Sequence, residues 1–262
     1  MRIAAVWGTF LCVALAAGAQ TAQPGAENDN DSGHSGAPWS YVGKTGPINW
    51  GKLDPAYRAC SQGKAQSPID IRGARLNPSL GQIEFHYLAG PVSIENNGHT
   101  IVINVGPGSY IVAGGVRYDL LQFHFHHPGE ESVKGRLPDM DVHLVHKSAD
   151  GKLAVIAVRL NESMGNPNAT LATLWQHLPT KVGDSQKVTD AVNPAGLLPA
   201  DRGYWTYTGS LTAPPCTEGV RWFVMEQDLG ISRQQLREFG ELYRINSRAL
   251  QDVHGRKIEA NE

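Results

Sequence analysis

The segment QFHFHH, Gln122 to His127, puts three imidazoles into six residues, and an imidazole is both a neutral metal ligand and a proton carrier near neutral pH. In an extended chain the side chains alternate between faces, so Gln122, His124 and His126 share one side while Phe123, Phe125 and His127 take the other. Further along, RLPDMDVHLVHK reads as a second strand on which Asp141, His143 and Val145 share a face and His146 points away. Antiparallel pairing of the two strands would let His143 complete a triangle with His124 and His126. Three neutral imidazoles leave the fourth tetrahedral position of zinc open, the arrangement of a catalytic rather than a structural zinc. Spacing alone equally allows histidines hydrogen-bonded within a polar core, and it does not separate the two readings.

The elements that must position these groups are short apolar or alternating runs: HTIVINV, YDLLQFHFH, DVHLVH, KLAVIAVRL and VRWFVMEQ, punctuated by Gly, Pro, Asn and Asp. Two stretches break that pattern. Asn168 is placed to cap a helix with Leu171, Leu174, Trp175 and Leu178 on one face, and Ser232 to cap another with Leu236, Phe239 and Tyr243. The fold expected is mainly β, with a few short peripheral helices.

At 262 residues, 41% hydrophobic and 18% charged, the chain is long enough to bury a sizeable core. A formal charge of -2 gives neither a nucleic-acid footprint nor a polybasic membrane patch. Arg2, the apolar run Ile3 to Ala16 and the small residues Ala17, Gly18 and Ala19 read as a signal peptide over 1–19, too short to span a bilayer. A polar, aperiodic linker over 20–37 follows, and without a repeat or a second linker, 38–262 reads as one domain. Cleavage removes Arg2 and Cys12, so the charge becomes -3 and Cys60 and Cys216 remain. An even pair in an exported chain is most simply one disulfide. The protein is expected to be soluble, periplasmic or secreted, with no membrane span.

The mature region resembles the α-class carbonic anhydrases, especially exported bacterial ones. The likeness runs through WSYVGKTGPINWG, QSPIDI, ENNGHTI, LQFHFHHPGEES, DVHLVHK, LAVIAV, GSLTAPPCTEGVRWFV and, more loosely, INSRALQ. It implies a single domain on a large, twisted, mostly antiparallel sheet, with zinc in a conical cavity and reversible hydration of carbon dioxide to bicarbonate and a proton. His124, His126 and His143 match the zinc ligands. Zinc lowers the pKa of bound water to about 7, a value general to carbonic anhydrase. Thr212 matches the threonine that orients the hydroxide while donating to the carboxylate matching Glu130. His99 matches the proton shuttle, and Asn97 and Tyr41 match polar residues that order the cavity water. Val145, Val155, Leu211 and Trp222 match the apolar wall that holds carbon dioxide. Gln122, Asp141 and Asn246 match groups that fix the imidazoles, Asn246 through its carbonyl. Cys60 and Cys216 match the disulfide common in exported bacterial relatives.

Three residues depart from the family pattern. Asp141 stands where a longer Glu is usual behind the third ligand, Ala213 replaces the second threonine of LTTPP, and Val102 replaces an amide on the cavity floor. A weaker hold on zinc and a thinner water network are the expected consequences. Sulfonamide and anion inhibitors also come with the resemblance, and a homodimer is the assembly that it allows. His34 lies in the linker, His127 and His146 point to the opposite sheet face as candidate core hydrogen-bonders, and His86, His177 and His254 lack converging partners; none receives a catalytic role. A non-catalytic binding module on the same fold and a zinc esterase are the alternative readings. The three retained histidines weigh against the first, and the narrow apolar wall against the second.

Overall fold

Strands buried on both faces carry no polar alternation, which is why the centre of this chain reads as continuous apolar runs. The computed structural model describes residues 36–162 and 168–262; the expected signal peptide, nearly all of the linker, Cys12 and His34 lie outside them. Strands β1 (Gly90–Asn96), β2 (Ile101–Val105), β3 (Val116–His126), β4 (Met140–Ser148) and β5 (Leu153–Glu162) are followed by β6 (Ser185–Val192), β7 (Tyr204–Ser210) and β8 (Glu218–Met225). They lie in one 13-stranded sheet in the order β6-β1-β2-β3-β4-β5-β8-β7, continued by Glu259–Ala260 and Arg75–Leu76. The sheet is mixed: most neighbours are antiparallel, but β5 runs parallel to β8 and to Leu229–Ile231, and Glu259–Ala260 runs parallel to Arg75–Leu76. A separate parallel pair joins Asp70–Ile71 to Ser132–Val133.

The two helices expected from their caps are present. Asn168 accepts the N–H of Leu171 at the start of α1 (Ala169–Trp175), and Ser232 forms a reciprocal capping box with Gln235 at the start of α2 (Arg233–Leu242). Leu171, Leu174, Trp175 and Phe239 are buried against the sheet, whereas Leu178 and Tyr243, expected on the helical faces, lie beyond the helix ends.

The sheet separates two apolar clusters. The larger one contains Phe123, Phe125, Val142, Leu144, Ile156 and the helices. The smaller contains Val145, Val155, Ala157, Tyr207, Trp222 and Val224. A β-bulge at Leu121 decides which residues of β3 face which cluster: Leu120 pairs with His146 but Gln122 pairs with Val145, so Leu121 has no partner and the alternation shifts by one. Tyr118 and Leu120 thereby share the larger core with Phe123 and Phe125, and Gln122, His124 and His126 turn to the other side. At the N-terminal edge, the Ala37 N–H donates to Asp54 and its carbonyl accepts from the Tyr57 hydroxyl.

Candidate metal centre

Strand register assembles the three histidines in two rows. His124 on β3 lies opposite His143 on β4, with Val102 on β2 and Ala157 on β5 as the outer neighbours. The next row pairs His126 with Asp141. One nitrogen from each of His124, His126 and His143 lies within 4.8 Å of those of the other two. Two of the rings are also held from outside. Gln122 Oε1 is 2.8 Å from His124 Nδ1, and Asp141 Oδ1 is 3.0 Å from His126 Nδ1. Asp141 Oδ2 approaches His143 Nε2 at 3.3 Å, but that nitrogen makes no aligned hydrogen bond. These contacts leave Nε2 of His124, Nε2 of His126 and Nδ1 of His143 facing one another. Three imidazoles converging from two strands, with the remaining nitrogens of His124 and His126 engaged, fit a divalent metal such as zinc.

The charges around the rings agree with that fit. Burial, and then the neighbouring imidazoles, push His124 well below the ordinary range, which keeps it neutral. Burial would also lower His126, but Glu130 and the Asp141 bond outweigh it and raise its pKa. Asp141 is fully buried, which alone would favour its acid form; His143 and His126 overcome this and hold it ionised. Its Oδ2 also accepts the backbone N–H of Glu130 at 2.6 Å. This short carboxylate therefore bonds His126 and the neighbouring turn, and lies against His143, the ring the resemblance assigned to it, without an aligned hydrogen bond.

The apolar residues singled out in the sequence form a third row beside the histidines. Gln122 pairs with Val145, Val145 with Val155, Val155 with Trp222 and Trp222 with Tyr207. The Trp222 ring meets His143 edge-on at 4.9 Å, and half-buried Leu211 packs on the same cluster. Thr212 is buried and Ala213 half-buried in the turn after β7. That turn is closed by Leu211 N–H to Thr217 and Cys216 N–H to Ala213, and ends at a disulfide between Cys216 and Cys60.

Two of the contacts that the resemblance implies are not formed among the described residues. Asn246 makes no hydrogen bond to the rings of His124, His126 or His143; its side chain accepts the N–H of His127 and donates to the carbonyls of His99 and Phe125, and Asp141 instead meets His126 Nδ1. The hydrogen bond expected between Thr212 and Glu130 is absent among the described residues. Glu130 Oε1 accepts the backbone N–H of Arg248 at 2.7 Å, while Oε2 has no hydrogen-bond partner and lies 3.8 Å from His126 Nδ1 and 4.0 Å from His143 Nδ1. Asn97 Oδ1 accepts from the backbone of His99 and Thr100, so it shapes the turn between β1 and β2. The His99 ring lies flat on Trp39, with centroids 3.8 Å apart and planes within 5°. Tyr41 packs edge-on against Trp39 and Trp50, its hydroxyl pKa raised by burial and then by Glu130 and Asp141.

Sequence reading missed Trp39, Arg248 and Glu131. Arg248 lies in the loosely matched INSRALQ, and its guanidinium bridges Gln66, Ser67 and Cys60. No local pattern announced those distant partners. His146, given no metal role, is fully buried with Nε2 2.8 Å from the Tyr87 hydroxyl, and His127 Nδ1 lies 3.1 Å from the Arg244 carbonyl.

Comparison with known proteins places this geometry in context. The family model described as eukaryotic-type carbonic anhydrase matches residues 45–262. A carbonic anhydrase of Pectobacterium carotovorum is 40% identical over 221 residues, covering 84% of this chain and 89% of that protein. A hyperthermostable carbonic anhydrase from an active hydrothermal vent chimney superposes with a TM-score of 0.82 at 42% identity, covering 86% of this chain and all of that one. The α-carbonic anhydrase of Thermovibrio ammonificans, solved with the inhibitor sulfanilamide, gives a TM-score of 0.82 at 38% identity, covering 86% of this chain and 99% of its own.

Proposed function

Because the chain belongs to the eukaryotic-type (α) carbonic anhydrase family, we propose that His124, His126 and His143 hold Zn2+ and that the protein catalyses the reversible hydration of carbon dioxide to bicarbonate and a proton. The observation that carries this reading is the convergence of three imidazole nitrogens within 4.8 Å, with Gln122 and Asp141 holding two rings from behind. Zinc in such a site supplies hydroxide at neutral pH by lowering the pKa of water to about 7.

The chain's own residues provide the remaining chemistry. Carbon dioxide has no net dipole, and the row Val145, Val155 and Trp222 with Leu211 offers it an apolar surface beside the histidines. Thr212 orients the nucleophile through its hydroxyl, and the unpartnered Oε2 of Glu130 is the acceptor available to that hydroxyl once the site is loaded. His99, on the turn after β1, carries the released proton away. Its stacking on Trp39 restrains the ring in that position. Tyr41 and Asn97 line the approach, and Asn246 supports the backbone on either side through His99 and Phe125.

Export through the signal peptide at 1–19, with 38–262 as the catalytic domain, belongs to the same reading. The Cys60–Cys216 bridge favours an oxidising compartment, and among the described residues no helix is long and apolar enough to cross a membrane. The sulfanilamide complex of the Thermovibrio relative supports sulfonamide binding here. The test is stopped-flow hydration by the mature protein as purified, after chelation and after zinc return. Activity that vanishes with the metal and returns with it establishes the reading. A protein that holds one zinc and hydrates nothing refutes it.

A further inference from the structure

Glu131 plays no part in the reaction described above, yet it is completely buried. Its Oε1 accepts the Tyr207 hydroxyl at 3.1 Å, and Oε2 has no partner. Beyond Tyr207 the contacts continue. The Tyr207 and Ser67 hydroxyl oxygens are 3.0 Å apart, and Ser67 and Ser210 are joined reciprocally, Ser67 N–H to Ser210 Oγ at 2.9 Å and Ser210 N–H to Ser67 Oγ at 3.1 Å. The Ser210 hydroxyl donates to the Leu211 carbonyl at 2.8 Å, and the Ser210 carbonyl accepts from the Trp222 indole at 3.0 Å. A continuous polar line of four side chains therefore runs through the interior from Glu131 to the peptide that precedes Thr212. Its aromatic member, Tyr207, lies parallel to Trp222, whose edge touches His143.

We propose that Glu131 is a positioning residue that, through Tyr207, Ser67 and Ser210, fixes the strand end presenting Leu211 and Thr212 to the three histidines. The inference rests on the hydration reading, because Thr212 acts in that reaction. Glu131 works as the neutral acid. The groups facing it are the carboxylates of Glu130 and Asp141 and the Tyr207 hydroxyl, and the Arg256 guanidinium acts on both Tyr207 and Glu131 from beyond without forming an ion pair with Glu131. Burial first, and then Asp141 and Glu130, push its pKa well above the ordinary 4.5. The unfolded chain ionises this group above 4.5 while the folded protein keeps its proton, so its contribution to stability falls as pH rises through that window. The unfolding equilibrium constant rises about tenfold per pH unit on this account, until the folded acid itself ionises.

The test uses zinc-loaded wild type, E131Q, E131A and Y207F, with metal content, hydration kinetics and urea unfolding from about pH 5 to about pH 8. E131A and Y207F are expected to keep one zinc and lose about 10-fold or more in kcat/KM, with the buffer dependence of kcat unchanged because His99 is untouched. E131Q, whose amide oxygen still accepts from Tyr207, is expected to recover most of the wild-type kcat/KM. The ratio of wild-type to E131Q unfolding constants is expected to rise about tenfold per pH unit from the acid end of that range. Wild-type kcat/KM in E131A or Y207F, or a ratio flat across the range, overturns the proposal. If E131A does not fold, Y207F decides the positioning role. Zinc-loaded wild type without hydration activity would instead refute the functional reading, while the pH dependence of the unfolding ratio would still report on buried Glu131.

Discussion

Removing the Cys60–Cys216 bridge is the perturbation whose magnitude follows most directly from the structure. The bridge joins residues 156 apart in sequence, and the chain-entropy model gives about 5 kcal/mol for closing a loop of that length. Both cysteines are buried beside Trp50 and Tyr57, so a double alanine variant, C60A/C216A, removes the link with little lost packing. For a domain of this size the loss corresponds to a fall of about 10–20 °C in Tm, read by calorimetry or circular dichroism on the mature protein. The bridge also anchors the turn that carries Thr212. That turn keeps Leu211 N–H to Thr217, Cys216 N–H to Ala213 and Gln66 to the Cys216 carbonyl without it. Hydration by the variant well below its Tm should therefore fall less steeply than stability. A Tm within about 3 °C of wild type, with unchanged activity, would refute the reasoning: the loop would then be restrained in the unfolded chain already, or held entirely by its hydrogen bonds in the native one.

Asp141→Asn keeps the shape but removes the charge that braces His126 and His143; zinc affinity, read by competition with a chromophoric chelator, should fall about 10- to 100-fold. His146 is held neutral in the interior, its pKa pushed down by burial from 6.5 to about 3. Its contribution is complete above 6.5 and is lost as pH falls towards 3, a loss of about 5 kcal/mol at 1.36 kcal/mol per unit. His146→Gln should flatten that acid limb in urea unfolding, and an unchanged limb would assign the acid sensitivity to other groups. Ser232→Ala, which breaks the capping box of α2, should cost about 1 kcal/mol and shift the urea midpoint without altering zinc content.

The sequence by itself determined the donors and their facing. Alternation is a local property of an extended chain, so Gln122, His124 and His126 on one side and Asp141, His143 and Val145 together on the next strand could be read before any pairing was known. The two helices were legible for the same reason, because the Asn168 and Ser232 caps act within three residues of themselves. Only the tertiary structure decided which groups those side chains meet. The bulge at Leu121 reverses the facing of β3 between Leu120 and Gln122, and it depends on pairing with β4. Asp141 bonds His126 because register places it opposite that residue, and the Asn246 side chain serves the turn around His99. Trp39 reaches His99, Arg248 reaches Glu130, and Glu131 reaches Tyr207 across 60, 118 and 76 residues. Contacts at such separations are set by the packing of the whole sheet, and no periodicity along the chain encodes them.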